Sequence, residues 1–115
     1  PAANATAGGA AGGAAGAAQH VPPDQIQAWI ANKPRAAVLF YAPWCKHCHD
    51  LLPKYQEVAQ RAALPMGMVN CDENAKVVSL YGLRGFPTVM RFVDGQMEHE
   101  YEGDRTVASL AAFCA

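Results

Sequence analysis

The sequence predicts an α/β domain in which helices cover both faces of a central mixed β-sheet. Three observations carry this. Segments with apolar residues at helical spacing alternate with short, wholly apolar runs rich in strand formers. The last two strand-like runs flank Asp94-Gly95, a strong hairpin signal. The chain has 115 residues, enough for one domain with its own core.

Taken in order, a weak strand around residues 17–21 precedes the first helix. That helix opens at Pro23-Asp24, carries Ile26, Trp29 and Ile30 at helical spacing, and ends near Asn32-Lys33-Pro34. Residues 36–42 form a solid apolar run, the mark of a strand buried on both faces. A helix over about 45–62 follows, with Leu51, Leu52, Tyr55 and Val58 turned inward. Pro53 lies inside it and is expected to kink it. Residues 66–71 read as a second interior strand. Asp72 or Asn74 is expected to cap a short helix through Val77, Val78, Leu80 and Tyr81, which Gly82 stops. Strands over 88–93 and 96–102 form the hairpin, and residues 106–113 form a last amphipathic helix. The predicted order is (β)αβαβαββα.

Residues 1–19, PAANATAGGAAGGAAGAAQ, differ from the rest. Fifteen of them are Ala or Gly and none is charged. Each glycine opposes helix by up to ~1 kcal/mol, and no large apolar side chain is present to offset the entropy of ordering. The expected division is a flexible Ala/Gly-rich tail or linker over 1–19 and a folded domain over 20–115. The tail lacks the basic start and leucine-rich core of a signal peptide. Gly8, Gly12 and Gly16 recur every fourth residue, but without Leu, Ile or Val around them a membrane helix is not expected. Asn4-Ala5-Thr6 is a glycosylation triplet and points faintly to the secretory pathway. The start at Pro1 reads as a processed or cut chain.

Charge excludes one function class. The formal net charge is −1 and no basic stripe is present, so nucleic-acid binding is not expected. The longest apolar run is too short to span a bilayer, so no membrane insertion by this segment is expected.

The chemistry concentrates in Trp44-Cys-Lys-His-Cys-His-Asp50. The stretch satisfies patterns for haem attachment, a redox dithiol and zinc binding. Its position favours the dithiol. Cys45 follows a buried strand and a short Ala-Pro-Trp link, and so starts a helix, where free N–H groups and the helix dipole favour a thiolate. Cys48 lies one turn inward and is expected to be shielded. An exposed thiol beside a buried one suits a two-step exchange: the first attacks, and the second resolves the mixed disulfide. Four cysteines are too few for a disulfide scaffold, and Cys71 and Cys114 read as separately buried thiols in preference to a bridge.

Four segments then show a family resemblance. Phe40-Tyr-Ala-Pro-Trp-Cys-Lys-His-Cys48 resembles the active-site segment of the protein disulfide isomerase family, within the thioredoxin superfamily. Leu52-Pro53-x-Tyr55 is similar to that family's proline-containing helix. Tyr81-Gly-Leu-Arg-Gly-Phe-Pro-Thr88 resembles the loop carrying its cis-proline, here Pro87. Tyr101-x-Gly103-x-Arg105 resembles the segment leading into the last helix. The resemblance covers about residues 20–115 in order.

The resemblance implies a thioredoxin-like fold and an enzyme that forms, reduces or rearranges disulfides in protein substrates through Cys45 and Cys48. It implies no cofactor beyond that dithiol and no metal. Lys46 and His47, both able to carry positive charge, would stabilise the Cys45 thiolate and make the disulfide a better oxidant. Pro87 would be cis and face the cysteines, offering the Phe86 backbone to an extended substrate and keeping metals from the thiols. Trp44 would contact substrate or cap the core. Arg105 would swing towards the site and lower the Cys48 pKa. The expected partners are cysteine-containing client proteins, with glutathione or an upstream thiol oxidase. The expected location is the endoplasmic reticulum lumen or secretory pathway. Two alternatives stand beside this: a thioredoxin-like reductase, and a client-binding, chaperone-like module with weak redox activity.

In this context haem is disfavoured, since the apolar residues are committed to strands and helices and supply no haem pocket. Zinc is disfavoured because His47 and His49 lie too close in sequence to complete a tetrahedron. His20, His49 and His99 read as surface residues. One departure stands out. Leu39 occupies the position where the family usually carries a buried acid that exchanges protons with the second cysteine. Resolution by Cys48 is therefore expected to be slow.

Overall fold

The computed structural model describes residues 17–115. Five strands, β1 (Gln19–His20), β2 (Arg35–Tyr41), β3 (Met66–Asn70), β4 (Thr88–Val93) and β5 (Gln96–Glu100), form one sheet in the order β1-β3-β2-β4-β5. β2 runs parallel to β3 and antiparallel to β4, so the sheet is mixed. Four α-helices accompany it: α1 (Ile26–Ala31), α2 (Lys46–Ala59), α3 (Lys76–Leu80) and α4 (Val107–Phe113). None is long and apolar enough to cross a membrane.

The solid apolar character of β2 follows from its place. Every residue from Ala36 to Tyr41 is buried, because both faces are covered. Val38 and Phe40 face a layer that holds Ile26 and Ile30 of α1 and Val77 of α3. Ala37, Leu39 and Tyr41 face the layer built by α2 and α4, with Cys48, Leu51, Tyr55 and Leu110. Cys71 belongs to the first layer and Cys114 to the second, so the sheet separates them and both are free thiols. Pro53 sits within α2, and the helix continues through it. The Tyr55 hydroxyl, fully buried, donates to the Gly67 carbonyl at 2.9 Å and ties α2 to β3. On the opposite face, Trp29 lies so close to Gly67 that an added Cβ would come within 3.1 Å of the indole. The β4–β5 turn is built on Asp94 and Gly95, both with positive φ (52° and 81°).

Several boundaries differ from the sequence expectation. Ala18 is buried, its N–H donates to Gln56 Oε1 at 2.9 Å, and Gln19 pairs with Gly67. These residues therefore belong to the folded unit, held by distant partners that local composition does not reveal. The glycine repeat at Gly8, Gly12 and Gly16, the triplet at Asn4 and the rest of residues 1–16 lie outside the described residues. The first helix begins as a 3-10 turn, Pro23–Gln25, before α1. Asn74, not Asp72, serves the start of α3, its Oδ1 accepting the Lys76 N–H at 3.0 Å. β5 ends at Glu100, where Tyr101 N–H crosses to the Val89 carbonyl at 2.8 Å.

Candidate active site

β2 delivers the chain to a tight turn over Ala42, Pro43 and Trp44, closed by the Cys45 N–H on the Ala42 carbonyl at 3.1 Å. Cys45 has extended backbone and is the N-cap of α2, and its Sγ accepts the Cys48 N–H at 3.3 Å. The sulfur thus takes one of the helix's free N–H groups and lies at the positive end of the helix dipole. The contrast in access is narrower than the sequence suggests. Cys45 is itself buried, at 7% exposure against 0% for Cys48. The cause is the loop before β4: the Cys45 Sγ lies 3.7 Å from the Phe86 carbonyl oxygen. The Phe86–Pro87 bond is cis. Thr88 Oγ1 braces this loop by donating to the Gly85 carbonyl at 2.8 Å.

Trp44 is 70% exposed and so does not cap the core. It meets Phe86 edge-on, with ring centroids 6.0 Å apart. Its indole N–H donates to Asp72 Oδ1 at 3.1 Å, and the Asp72 N–H in turn donates to Asn70 Oδ1 at 3.0 Å. Asp72 is a residue of the site that sequence reasoning missed. It is 28 positions from Trp44 in the chain, and nothing local marks it as anything but a helix cap.

Burial pushes the Cys48 thiol up to about 12, and its bond to Cys45 pushes the same way. A backbone hydrogen bond from Ala42 and the positive charge of Arg105 pull against this. Arg105 is exposed in the segment between β5 and α4, and its carbonyl accepts from Lys54 Nζ at 2.7 Å. Lys46 and His47 are exposed on the first turn of α2. His49 is exposed too, but its Nε2 donates to the Pro43 carbonyl, which can only accept. His20 is more than a plain surface residue: its Nε2 lies 3.0 Å from the Tyr41 hydroxyl. Leu39 is fully buried in the same layer as Cys48 and puts hydrocarbon there. Among the described residues no cluster of three or more His, Cys, Asp or Glu could hold a metal.

A dithiol at the start of a helix, met by a cis-proline loop on a β1-β3-β2-β4-β5 sheet, defines a thioredoxin-fold domain. The profile of the Thioredoxin family matches residues 18–115, and the chain belongs to that family. Within it the chain is similar to protein disulfide isomerases. It is 42% identical over 83 residues to the probable protein disulfide-isomerase A6 of Medicago sativa, covering 68% of this chain and 23% of that protein. It is 34% identical over 89 residues to protein disulfide-isomerase A3 of Gallus gallus, covering 75% and 18%. The solved J-Trx1 fragment of ERdj5 superposes with a TM-score of 0.76 at 32% identity, covering 83% of this chain and 48% of that one. Human ERp44 superposes with a TM-score of 0.75 at 27% identity, covering 84% and 28%. The chain spans under a quarter of the length of these curated relatives.

Proposed function

We propose that the chain is a thiol–disulfide oxidoreductase domain of the protein disulfide isomerase type, which forms, reduces or rearranges disulfides in protein substrates. The observation that carries this reading is the unequal pair. Cys45 caps the positive end of α2 and keeps some access, whereas Cys48, one turn on, is fully buried with its thiol held at about 12.

A client thiolate attacks the Cys45 Sγ of the oxidised domain. The Cys45–Cys48 bond breaks, a Cys45–client disulfide forms, and Cys48 leaves as a thiolate that takes up a proton. A second client thiolate then attacks the client sulfur and expels the Cys45 thiolate. The client has lost two electrons and the dithiol has gained them. In the escape route Cys48 gives up its proton and attacks the Cys45 Sγ, restoring the internal disulfide and releasing the client as a thiol. Glutathione disulfide or an upstream thiol oxidase would restore the oxidised state.

Lys46 and His47, exposed on the first turn of α2, can each carry positive charge beside Cys45. Trp44 and Phe86, edge-on to each other, offer the client an aromatic contact, and the Phe86–Pro87 backbone offers it hydrogen-bonding groups. Arg105 offsets part of the burial cost of a Cys48 thiolate. Leu39 supplies no group to take the Cys48 proton, so mixed disulfides persist. The dithiol needs no further cofactor. The similarity to protein disulfide isomerases, ERdj5 and ERp44 favours the lumen of the endoplasmic reticulum.

The test is the reduction potential of the Cys45–Cys48 pair, measured in glutathione buffers with Trp44 fluorescence as the signal. A value near about −180 mV supports the isomerase reading, and one near about −270 mV turns it into a thioredoxin-like reductase. A second reading, a client-binding module, draws on the hydrocarbon at Leu39 and the exposed Trp44. It requires client affinity to be unchanged in a Cys45→Ser/Cys48→Ser variant.

A further inference from the structure

We propose that Lys54 is a positioning residue for the resolving step, holding in place the backbone from which Arg105 acts on the dithiol. This rests on the exchange chemistry set out above.

The geometry that points to it is a strap fastened at three consecutive residues by three different partners. The Tyr101 hydroxyl donates to the Asp104 carbonyl. Lys54 Nζ donates to the Arg105 carbonyl at 2.7 Å, across 51 positions of the chain. Thr106 Oγ1 accepts the Ser109 N–H at 3.2 Å and so caps α4. Gly103 lets the first of these form, because a Cβ there would fall 2.8 Å from the Tyr101 hydroxyl. The backbone on both sides of Arg105 is thereby pinned. Its guanidinium, in contrast, is in no ion pair among the described residues, and the residue is exposed. The result is an arm with a fixed pivot.

The tether comes from α2, the helix that carries Cys48. It therefore sets the distance between the arm's pivot and the resolving thiol. That distance matters more here than it would beside a buried acid. Leu39 puts hydrocarbon in the layer that holds Cys48, and the positive charge of Arg105 is one of the influences that lower that thiol's pKa. Without the Lys54 bond, Arg105 is held only through its neighbours' bonds, to Tyr101 and to the start of α4, neither of which comes from α2, and the charge is less firmly placed at the sulfur that must ionise.

The step concerned begins from a Cys45–client mixed disulfide. Cys48 loses its proton to water and its thiolate attacks the Cys45 Sγ. The Cys45–Cys48 bond forms, the Cys45–client bond breaks, and the client thiolate leaves and is protonated. No outside oxidant enters, since the mixed disulfide already carries the oxidising equivalents.

The test uses the full chain with Cys45 in a mixed disulfide with fluorescently labelled glutathione, and follows release of the label at neutral pH. Lys54→Met and Arg105→Met are each expected to slow release by about two- to fivefold, the range of an exposed charge. The double variant is expected to be no slower than Arg105→Met alone. Lys54→Arg, which keeps a donor of similar reach, is expected to restore the rate. Additive slowing in the double variant overturns the inference, because Lys54 would then act through its own charge. So does an unchanged rate in Lys54→Met beside a slowed Arg105→Met. An unchanged rate in Arg105→Met removes the role given to that arginine, and the inference with it. No release at all in the parent chain overturns the exchange reading itself.

Discussion

The Cys45 sulfur lies 3.7 Å from the carbonyl oxygen of Phe86. This contact joins two segments 41 positions apart, the start of α2 and the loop before β4. It holds the loop of Phe86, whose ring meets Trp44 edge-on, against the Cys45 sulfur.

Phe86→Ala is expected to raise KM for a cysteine-containing peptide by up to about tenfold, the worth of one aromatic contact. Alkylation of Cys45 by iodoacetamide should not slow, since the Phe86 carbonyl is kept and the loop that covers the sulfur loses a ring. An unchanged KM would take the client contact away from this face.

Leu39→Glu is expected to do two opposite things. Release of a mixed disulfide by Cys48 should speed up by about tenfold or more, because a proton acceptor now stands in the same layer. Stability should fall by about 2–4 kcal/mol, because the carboxyl has no partner in a fully buried site. Urea titration and release kinetics on one sample separate the two. Leu39→Met, similar in volume and uncharged, should change neither by much. An unchanged release rate in Leu39→Glu would show that proton transfer at Cys48 is not limiting.

Alkali should destabilise the reduced protein. Burial holds Cys48 and Cys71 at about 12 and Cys114 at about 11, against an ordinary 9.0. Above pH 9 the unfolded chain releases these protons while the folded one retains them. The unfolded state then binds fewer protons, so stability falls as pH rises from about 9 towards 12. Tyr55, pushed up by burial, acts in the same direction. Melting temperatures across that range should decline, and Cys71→Val should flatten the decline. A flat profile in the parent would contradict the burial of these thiols.

Tyr55→Phe is expected to cost about 1–2 kcal/mol, because the Gly67 carbonyl loses a buried donor. Denaturant titration reads this directly. Alkylation of Cys45 should not change, since the hydroxyl is spent on β3.

Gly67→Ala is expected to cost about 1–3 kcal/mol, the usual range for overpacking. The new methyl would stand 3.1 Å from the Trp29 indole, a rigid ring that cannot fold aside. Trp29→Leu in the Gly67→Ala background should recover part of the loss. Independent, additive losses would place the strain elsewhere.

What could be read from the chain is what its local pattern determines. β2 is legible because a strand buried on both faces must be apolar throughout. The β4–β5 turn is legible because Asp94 and Gly95 tolerate positive φ. The place of Cys45 at a helix start follows from the strand and proline before it. The rest depends on partners far along the chain. Ala18 is recruited by Gln56, Trp44 by Asp72, and the Arg105 backbone by Lys54, at separations of 38, 28 and 51 residues. A polar side chain in isolation does not declare which distant group it will meet. Asp72 therefore reads as a helix cap, and Gln19 as the end of a linker.

The sheet between Cys71 and Cys114 has a consequence for a protein whose proposed work is to trade disulfides. Such a domain risks becoming its own substrate, with stray thiols attacking its own active pair or each other. Here the two spare sulfurs lie in different rooms, one on each side of a wall of backbone, and neither is ionised at neutral pH. While the fold holds, Cys71 and Cys114 cannot pair with each other, and burial keeps both from thiols in solution.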